Sequence, residues 1–185
     1  AESVVGTSHV QLNTECQDCC GTRLGTAADE SALVFAASDG AGSALFSAVG
    51  ARLVVDKFMS EICALSTRPD AITKENIAAV CEKIRSALIV EAETLGCSLR
   101  ELSATLLGGC ITREFAWFCQ IGDGGIVAHH DGKYHAVTWP SSGEFVNTTT
   151  FITSSEWRTD LQFVIIRDTI EAAAAFTDGI QDLVL

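Results

Sequence analysis

The chain has 185 residues, of which 48% are hydrophobic and two are proline. It is therefore long and apolar enough to bury a core, and a single domain over 1–185 is predicted. Twelve basic residues against 24 acidic ones give a net charge of -12. This balance excludes nucleic acid and anionic membrane as main partners, since both attract clusters of lysine and arginine. No apolar run approaches the ~20 residues that a membrane-spanning helix needs.

The eight cysteines are spread from Cys16 to Cys119, and several lie in apolar runs. In a chain with an ample core, this spread predicts reduced, buried thiols and a cytoplasmic location rather than a disulfide framework. Cys16, Cys19 and Cys20 form a cluster, but no second pair of ligands stands at zinc-finger spacing. A structural zinc ion is therefore the less favoured alternative.

The first half of the chain shows strand patterns followed by two helical ones. An apolar run ends at Asp39, where glycines leave the backbone of the following turn bare. The helix that follows is apolar on most sides, and the next one is amphipathic, capped by Thr73 and ended by Gly96. We expect both helices to lie on one face of a sheet. The predicted elements are strands at 4–12, 16–20 and 32–37, a loop at 21–30, and helices at 44–64 and 73–95.

Strand patterns dominate the second half, with a two-residue turn signal at Asp131-Gly132. The histidines around this turn, His129, His130 and His135, are interpreted as solvated side chains rather than as a metal site. A polar segment at 139–160 is predicted to be a flap or long loop. The order of elements indicates an α+β domain with a sheet core and helices outside. The predicted strands are 104–112, 115–121, 126–130, 133–138, 163–166 and 172–176.

Three aspartates stand at or near the end of an apolar strand, namely Asp18, Asp39 and Asp178. Carboxylates at neighbouring strand ends converge, and they repel one another unless they hold cations. Oxygen ligands without histidine favour Mg²⁺ or Mn²⁺ over zinc, and two such ions would assist attack on a phosphoryl group. The alternative is that each aspartate only caps a turn.

Five short motifs follow one another in a fixed order, and together they resemble a known family. The motifs are Gln17-Asp18, Ser38-Asp39-Gly40-Ala41-Gly42-Ser43, Ala104-Thr105-Leu106-Leu107-Gly108, Ile121-Gly122-Asp123-Gly124 and Thr177-Asp178-Gly179-Ile180. In this order they resemble the metal-dependent protein phosphatases of the 2C class, the PPM family. The segments 6–9 and 143–147 are similar to a bacterial branch of that family.

The resemblance implies a four-layer α-β-β-α sandwich of two antiparallel sheets flanked by helices, with two Mn²⁺ or Mg²⁺ ions at one end. It implies a serine/threonine phosphatase that acts on a phosphorylated protein through attack of a metal-bridging hydroxide. By position, Asp39 would bridge the metals, the Gly40 carbonyl would bind one and Asp178 the other. Asp18 would hold metal-bound water or approach a metal, which makes Asp18 and Asp39 the implied catalytic residues. Asp123 would fix a turn between strands.

The chain departs from the family pattern at three places. Ala41 stands where many members have a histidine proposed as general acid. Asn13 stands where an arginine usually grips phosphate, and His9 is the candidate substitute, with an ordinary surface or packing histidine as the alternative. The chain ends soon after Asp178, before the family's last metal-binding aspartate, so a C-terminally shortened domain without its last helix and strand is expected. These departures favour, as the alternative function, a catalytically weak phosphatase-like binding or regulatory module. A hydrolase of small phosphoesters is a third, weaker possibility.

Overall fold

The computed structural model describes residues 16–27, 30–65, 71–140 and 149–178. The strand predicted at 4–12, which contains His9, lies outside these residues, as does Asn13. The described strands are β1 (Asp18–Ala27), β2 (Glu30–Asp39), β3 (Leu106–Ile111), β4 (Ala116–Ile121), β5 (Gly125–His130), β6 (Lys133–Thr138), β7 (Gln162–Ile166) and β8 (Ala172–Phe176). The described helices are α1 (Ser47–Ala64), α2 (Lys74–Leu95), a 3₁₀ turn (Leu99–Leu102) and the short α3 (Trp157–Asp160).

The strands form two antiparallel sheets. One has five strands in the order β1-β2-β3-β4-β7, and the other has three in the order β6-β5-β8. Because side chains alternate along a strand, Val34 and Ala36 of β2 join the core under the helices. Phe35 and Ala37 face the other way and pack with the three-stranded sheet. The predicted α+β class, with two antiparallel sheets and helices outside, is confirmed.

The two long helices cover one face of the five-stranded sheet, as the sequence predicts. α1 packs on β1 and β2, and α2 packs against α1. Val54 and Phe58 of α1 are fully buried, as are Ile77 and Leu88 of α2. Among the described residues, the far face of the three-stranded sheet carries no helix of comparable length. No described helix is long and apolar enough to cross a membrane.

The ends of α2 follow the signals in the sequence. The Asn76 amide N–H donates to the Thr73 hydroxyl at 3.3 Å, and the Thr73 amide N–H donates to the Asn76 side-chain oxygen at 3.0 Å. Gly96 ends the helix with φ +66°, in the left-handed region that glycine tolerates. Both ends were identified correctly because the capping chemistry is local.

We expect Thr73→Ala to destabilise the fold by about 1 kcal/mol, since the capping hydroxyl satisfies an N–H that the helix itself leaves without a partner. Urea unfolding measures this difference. Thr94→Ala, at an exposed position late in the same helix, serves as the matched control and should change stability by less than about 0.5 kcal/mol. Equal effects of the two substitutions would contradict the capping role.

The prediction of a loop at 21–30 is wrong for most of that range. β1 continues to Ala27 and forms a hairpin with β2, in which Thr22 pairs with Phe35. Gly21 reads as a turn residue, yet it lies in the strand directly beneath α1, where an added Cβ would be 3.2 Å from Val55. Glycine here permits close helix–strand packing rather than a turn. The 3₁₀ turn and α3 were also missed, since both are single turns.

The remaining predictions on cysteine and histidine can be compared with the described residues. All eight cysteines are free, as predicted, but the predicted burial is correct only for Cys81, Cys110 and Cys119, since Cys63 is exposed and the other four are half-buried. Burial raises the pKa of the Cys119 thiol well above its ordinary value, and nearby Cys81 adds to the shift. The Nδ1 atom of His129 lies 2.8 Å from a carboxylate oxygen of Glu171, the residue directly before β8. Among the described residues, the side chains of histidine, cysteine, aspartate and glutamate form no group of three that could hold a metal ion.

Candidate active site

Asp18 and Asp39 lie directly opposite each other at the end of the β1–β2 hairpin. Opposite residues of an antiparallel pair point to the same face, with their Cβ atoms about 5 Å apart. The pairing register therefore places two carboxylates side by side. At this open end of the hairpin, the Gly40 amide N–H donates to the Gln17 carbonyl at 3.1 Å.

The backbone around Asp39 is held by the segment that precedes β3. The Asp39 amide N–H donates to the Thr105 hydroxyl at 2.9 Å, and the Thr105 amide N–H donates to the Asp39 carbonyl at 2.8 Å. The Ser38 hydroxyl donates to the Thr105 carbonyl at 2.5 Å. The next amide, that of Ala41, donates to the Ser103 carbonyl at 2.9 Å. These bonds fix the main chain from which the Asp39 carboxylate projects.

Asp123 and Asp178 reach the same end of the sandwich from the second sheet. Asp178 follows β8 and Asp123 precedes β5, and these two strands pair with Phe176 opposite Gly125. The turn that carries Asp123 is fixed by the buried Gln120, whose amide donates to the Gly124 carbonyl at 2.7 Å. The Asp123 carboxylate in turn accepts a hydrogen bond from the Thr149 hydroxyl.

The four carboxylates interact electrostatically. Burial is the largest cause, followed by the charges of Asp18, Asp178 and Asp123 in that order, and together they raise the pKa of Asp39 to about 8. Such a shift means that the ionised form of Asp39 is strongly disfavoured here without a positive charge. The set of donors, four carboxylates and bare backbone carbonyls, fits a hard divalent cation. Still, no three acidic, histidine or cysteine side chains among the described residues are close enough to form a ready-made cage.

The structure thus brings together Asp18, Asp39 and Asp178, which the sequence selected, and adds Asp123. Sequence reasoning assigned Asp123 to a turn, although it follows an apolar strand and precedes glycine, as Asp39 does. That shared context was the signal that could have identified it. Gly40 lies next to Asp39 and is buried. His9 lies outside the described residues.

The fold and the acidic site together define an α+β sandwich of two antiparallel sheets with carboxylates gathered at one end. Residues 5–185 match the family model for protein phosphatase 2C. Serine/threonine-protein phosphatase 3 of Escherichia coli (strain K12) is 33% identical over 186 residues, which cover 99% of this chain and 73% of that protein. The chain belongs to the protein phosphatase 2C family.

Solved structures share the fold at much lower identity. Serine/threonine phosphatase Stp1 from Staphylococcus aureus is similar with a TM-score of 0.66 and 13% identity, over 92% of this chain and 73% of that one. RsbX, crystallised in complex with magnesium, is similar with a TM-score of 0.59 and 15% identity, over 90% of this chain and 68% of that one. These structures share the fold, whereas the family-model match and the E. coli relative confirm the predicted membership of the 2C class.

Proposed function

We propose that this chain is a metal-dependent serine/threonine phosphatase that hydrolyses phosphoserine and phosphothreonine in a phosphorylated protein. The observation that carries the proposal is the set of carboxylates around Asp39, whose pKa of about 8 reflects burial beside three other acids. A phosphoprotein substrate is supported by the family and by the name of the E. coli relative. Neither nucleic acid nor a membrane is part of the proposal.

Two Mn²⁺ or Mg²⁺ ions are the proposed cofactors. Asp39 would bridge them, the Gly40 carbonyl would bind one, Asp178 would bind the other, and Asp18 would approach a metal or hold its water. Magnesium in the RsbX structure supports an ion of this kind. When bound, such ions polarise the phosphoryl group, neutralise its charge and provide a nucleophile at neutral pH.

The chain's own residues set the geometry of the reaction. Hydrogen bonds between Thr105 and the main chain of Asp39 hold this residue at the strand end before substrate arrives. Asp18 and Asp39 are the proposed catalytic residues because they face each other at the strand end. Ala41 has no proton to give, so the leaving oxygen takes its proton from water or from another side chain. His9 is proposed to contact phosphate.

Calorimetric titration with Mn²⁺, combined with a turnover assay, tests the proposal. We expect two binding events, and release of phosphate from a phosphoserine peptide and from nitrophenyl phosphate that stops when EDTA is added. Turnover that persists in EDTA would contradict metal dependence. One weak binding event without turnover would instead support the alternative, a phosphatase-like binding module, which Ala41 favours.

A reducing compartment such as the cytoplasm is proposed as the location. All eight cysteines are free, and Cys81 and Cys119 are buried where oxidation would disrupt packing.

A further inference from the structure

A cleft of about 640 Å³ opens beside the candidate site. Its three walls are formed by residues 41–44, 100–103 and 149–156, and we call it the side cleft. It adjoins the carboxylates at two points. Ala41 follows Gly40 directly, and Thr149 donates its hydroxyl hydrogen to Asp123. A polypeptide whose phosphoryl group lies at Asp39 would therefore have its neighbouring residues in or near the side cleft.

The walls of the side cleft are fixed to one another. The Ser103 and Thr153 hydroxyls form a hydrogen bond of 2.9 Å between two of them. The Ile152 amide N–H donates to the Ala104 carbonyl at 2.9 Å. From α2, the Arg85 guanidinium donates to the Ser154 carbonyl at 3.0 Å. The side cleft is therefore formed before any ligand binds, which lowers the entropic cost of binding.

The side cleft is rich in hydroxyl groups, and of the described residues that line it Arg100 alone is positively charged. Arg100 is exposed and forms no ion pair within the described part of the chain. The two acids of the lining are engaged with the walls. Glu101 accepts a hydrogen bond of 2.8 Å from the Leu45 amide, and Glu156 accepts one of 2.7 Å from the Ser155 hydroxyl. Arg100 is thus available to an anionic ligand.

The distance from Arg100 to the carboxylates can be bounded from the backbone. Arg100 lies one 3₁₀ turn, about 6 Å, before Ser103, whose carbonyl accepts from the Ala41 amide. Asp39 lies two extended residues, about 7 Å, before Ala41. The hydrogen-bonded crossing from Ser103 to Ala41 adds about 5 Å, so the whole path is about 18 Å. Since an extended peptide advances about 3.3 Å per residue, Arg100 lies within about five residues of a phosphorylated residue at Asp39.

We propose that Arg100 binds an acidic side chain located within about five residues of the phosphorylated residue of the substrate, and so selects phosphosites with acidic neighbours. The inference rests on the proposed function. Charge complementarity supports it, because a protein of net charge -12 repels acidic peptides except where a cation such as Arg100 faces them. The hydroxyl groups of the side cleft supply hydrogen bonds to the peptide backbone.

Two phosphoserine peptides test the inference. One has glutamate at the third and fourth positions before the phosphoserine, and the other has glutamate at the third and fourth positions after it. Each is compared with a peptide that has glutamine at the same positions. With Mn²⁺ present, we expect a preference of about fivefold in kcat/KM for one of the glutamate peptides, expressed mainly in KM. Arg100→Ala should bring the ratio of glutamate to glutamine peptide close to one. Arg100→Glu should instead prefer a peptide with lysine at the same two positions. Arg23→Ala, at an exposed position of β1 away from the side cleft, is the control and should leave the ratio at the wild-type value.

A wild-type ratio of one, or an unchanged ratio in Arg100→Ala, would overturn the inference. An equal loss on all peptides and on nitrophenyl phosphate would also overturn it, since Arg100 would then serve the reacting phosphate itself. Failure of the proposed function appears differently, as absence of turnover of nitrophenyl phosphate by the wild type with Mn²⁺. In that case, fluorescence anisotropy of the same peptides, carrying a label, measures the ratio of affinities for the glutamate and glutamine peptides. A preference for glutamate that Arg100→Ala removes would support the inference, and a ratio of one in the wild type or an unchanged ratio in Arg100→Ala would overturn it.

Discussion

Replacing Asp39 with asparagine will stabilise the metal-free protein near pH 8 and remove most of the fall in its stability toward that pH. In the folded protein, burial and the charges of Asp18, Asp178 and Asp123 raise the pKa of Asp39 from 3.8 to about 8. Between these values the folded chain holds a proton that the unfolded chain has released. This contribution to stability is therefore complete below pH 3.8 and is lost as the pH rises through about 8. Asparagine is neutral throughout.

Urea unfolding in EDTA at several pH values between 5 and 8.5 measures this effect. The wild type should lose stability as the pH rises, whereas Asp39→Asn should vary much less. Asp131→Asn is the matched control, because Asp131 lies in the exposed β5–β6 turn, where its φ of 50° suits asparagine equally well. Added Mn²⁺ should stabilise the wild type at pH 8 more than Asp39→Asn. Identical pH profiles of wild type and Asp39→Asn would show that the carboxylates do not interact.

Gly40→Ala will disrupt both the fold and the site. An added Cβ at Gly40 would lie 2.6 Å from the Ser47 carbonyl oxygen and 2.7 Å from its carbon. These are backbone atoms at the start of α1, so the helix or the turn after β2 must shift. We expect a loss of about 1–3 kcal/mol in the free energy of unfolding, as for other overpacked positions. Because Asp39 is the adjacent residue, a small displacement should also reduce turnover by about a hundredfold.

Gly42→Ala is the control within the same turn. Its added Cβ would have the Gln17 side-chain oxygen as its nearest neighbour, at 3.8 Å, which is ordinary contact. Urea unfolding and turnover of nitrophenyl phosphate should therefore change little. If both alanine variants behaved alike, the close approach of Gly40 to α1 would not be what the turn requires.

Local chemistry in the sequence was sufficient for much of the fold. The turn at Asp131-Gly132 forms with φ +50° and φ +69°, as the two-residue hairpin signal predicts. The cap at Thr73 and the left-handed Gly96 set the ends of α2. Each signal depends on neighbouring residues alone, which is why a single sequence reveals it.

Contacts between distant segments were harder to predict. Gly21 and Gly25 indicated a loop, because nothing local shows that α1 lies over Gly21 or that β1 must extend to match β2. Asp123 shares the strand-end context of Asp39, but that context does not reveal the pairing of β5 with β8 that brings Asp123 toward Asp39. Strand pairing within each sheet and helix packing on it decide these cases, and hydrophobic periodicity encodes neither.

The candidate site was identified from the sequence because its aspartates share one context, a strand end, and because the order of motifs matched a family. The pairing of Asp18 with Asp39 gives this a physical basis, since strand register places the carboxylates together. The side cleft and Arg100 were not foreseen. The 3₁₀ turn that presents Arg100 leaves no periodic signal, and the cleft depends on three separate segments.

The central claim is that Asp39 and its neighbouring carboxylates carry out metal-dependent hydrolysis of phosphoserine. The most direct test is phosphate release from a phosphoserine peptide with Mn²⁺, measured for the wild type and Asp39→Asn at equal concentration. Circular dichroism verifies that the variant is folded. The account predicts turnover by the wild type and none above background by the variant. Equal turnover by a folded Asp39→Asn would contradict it.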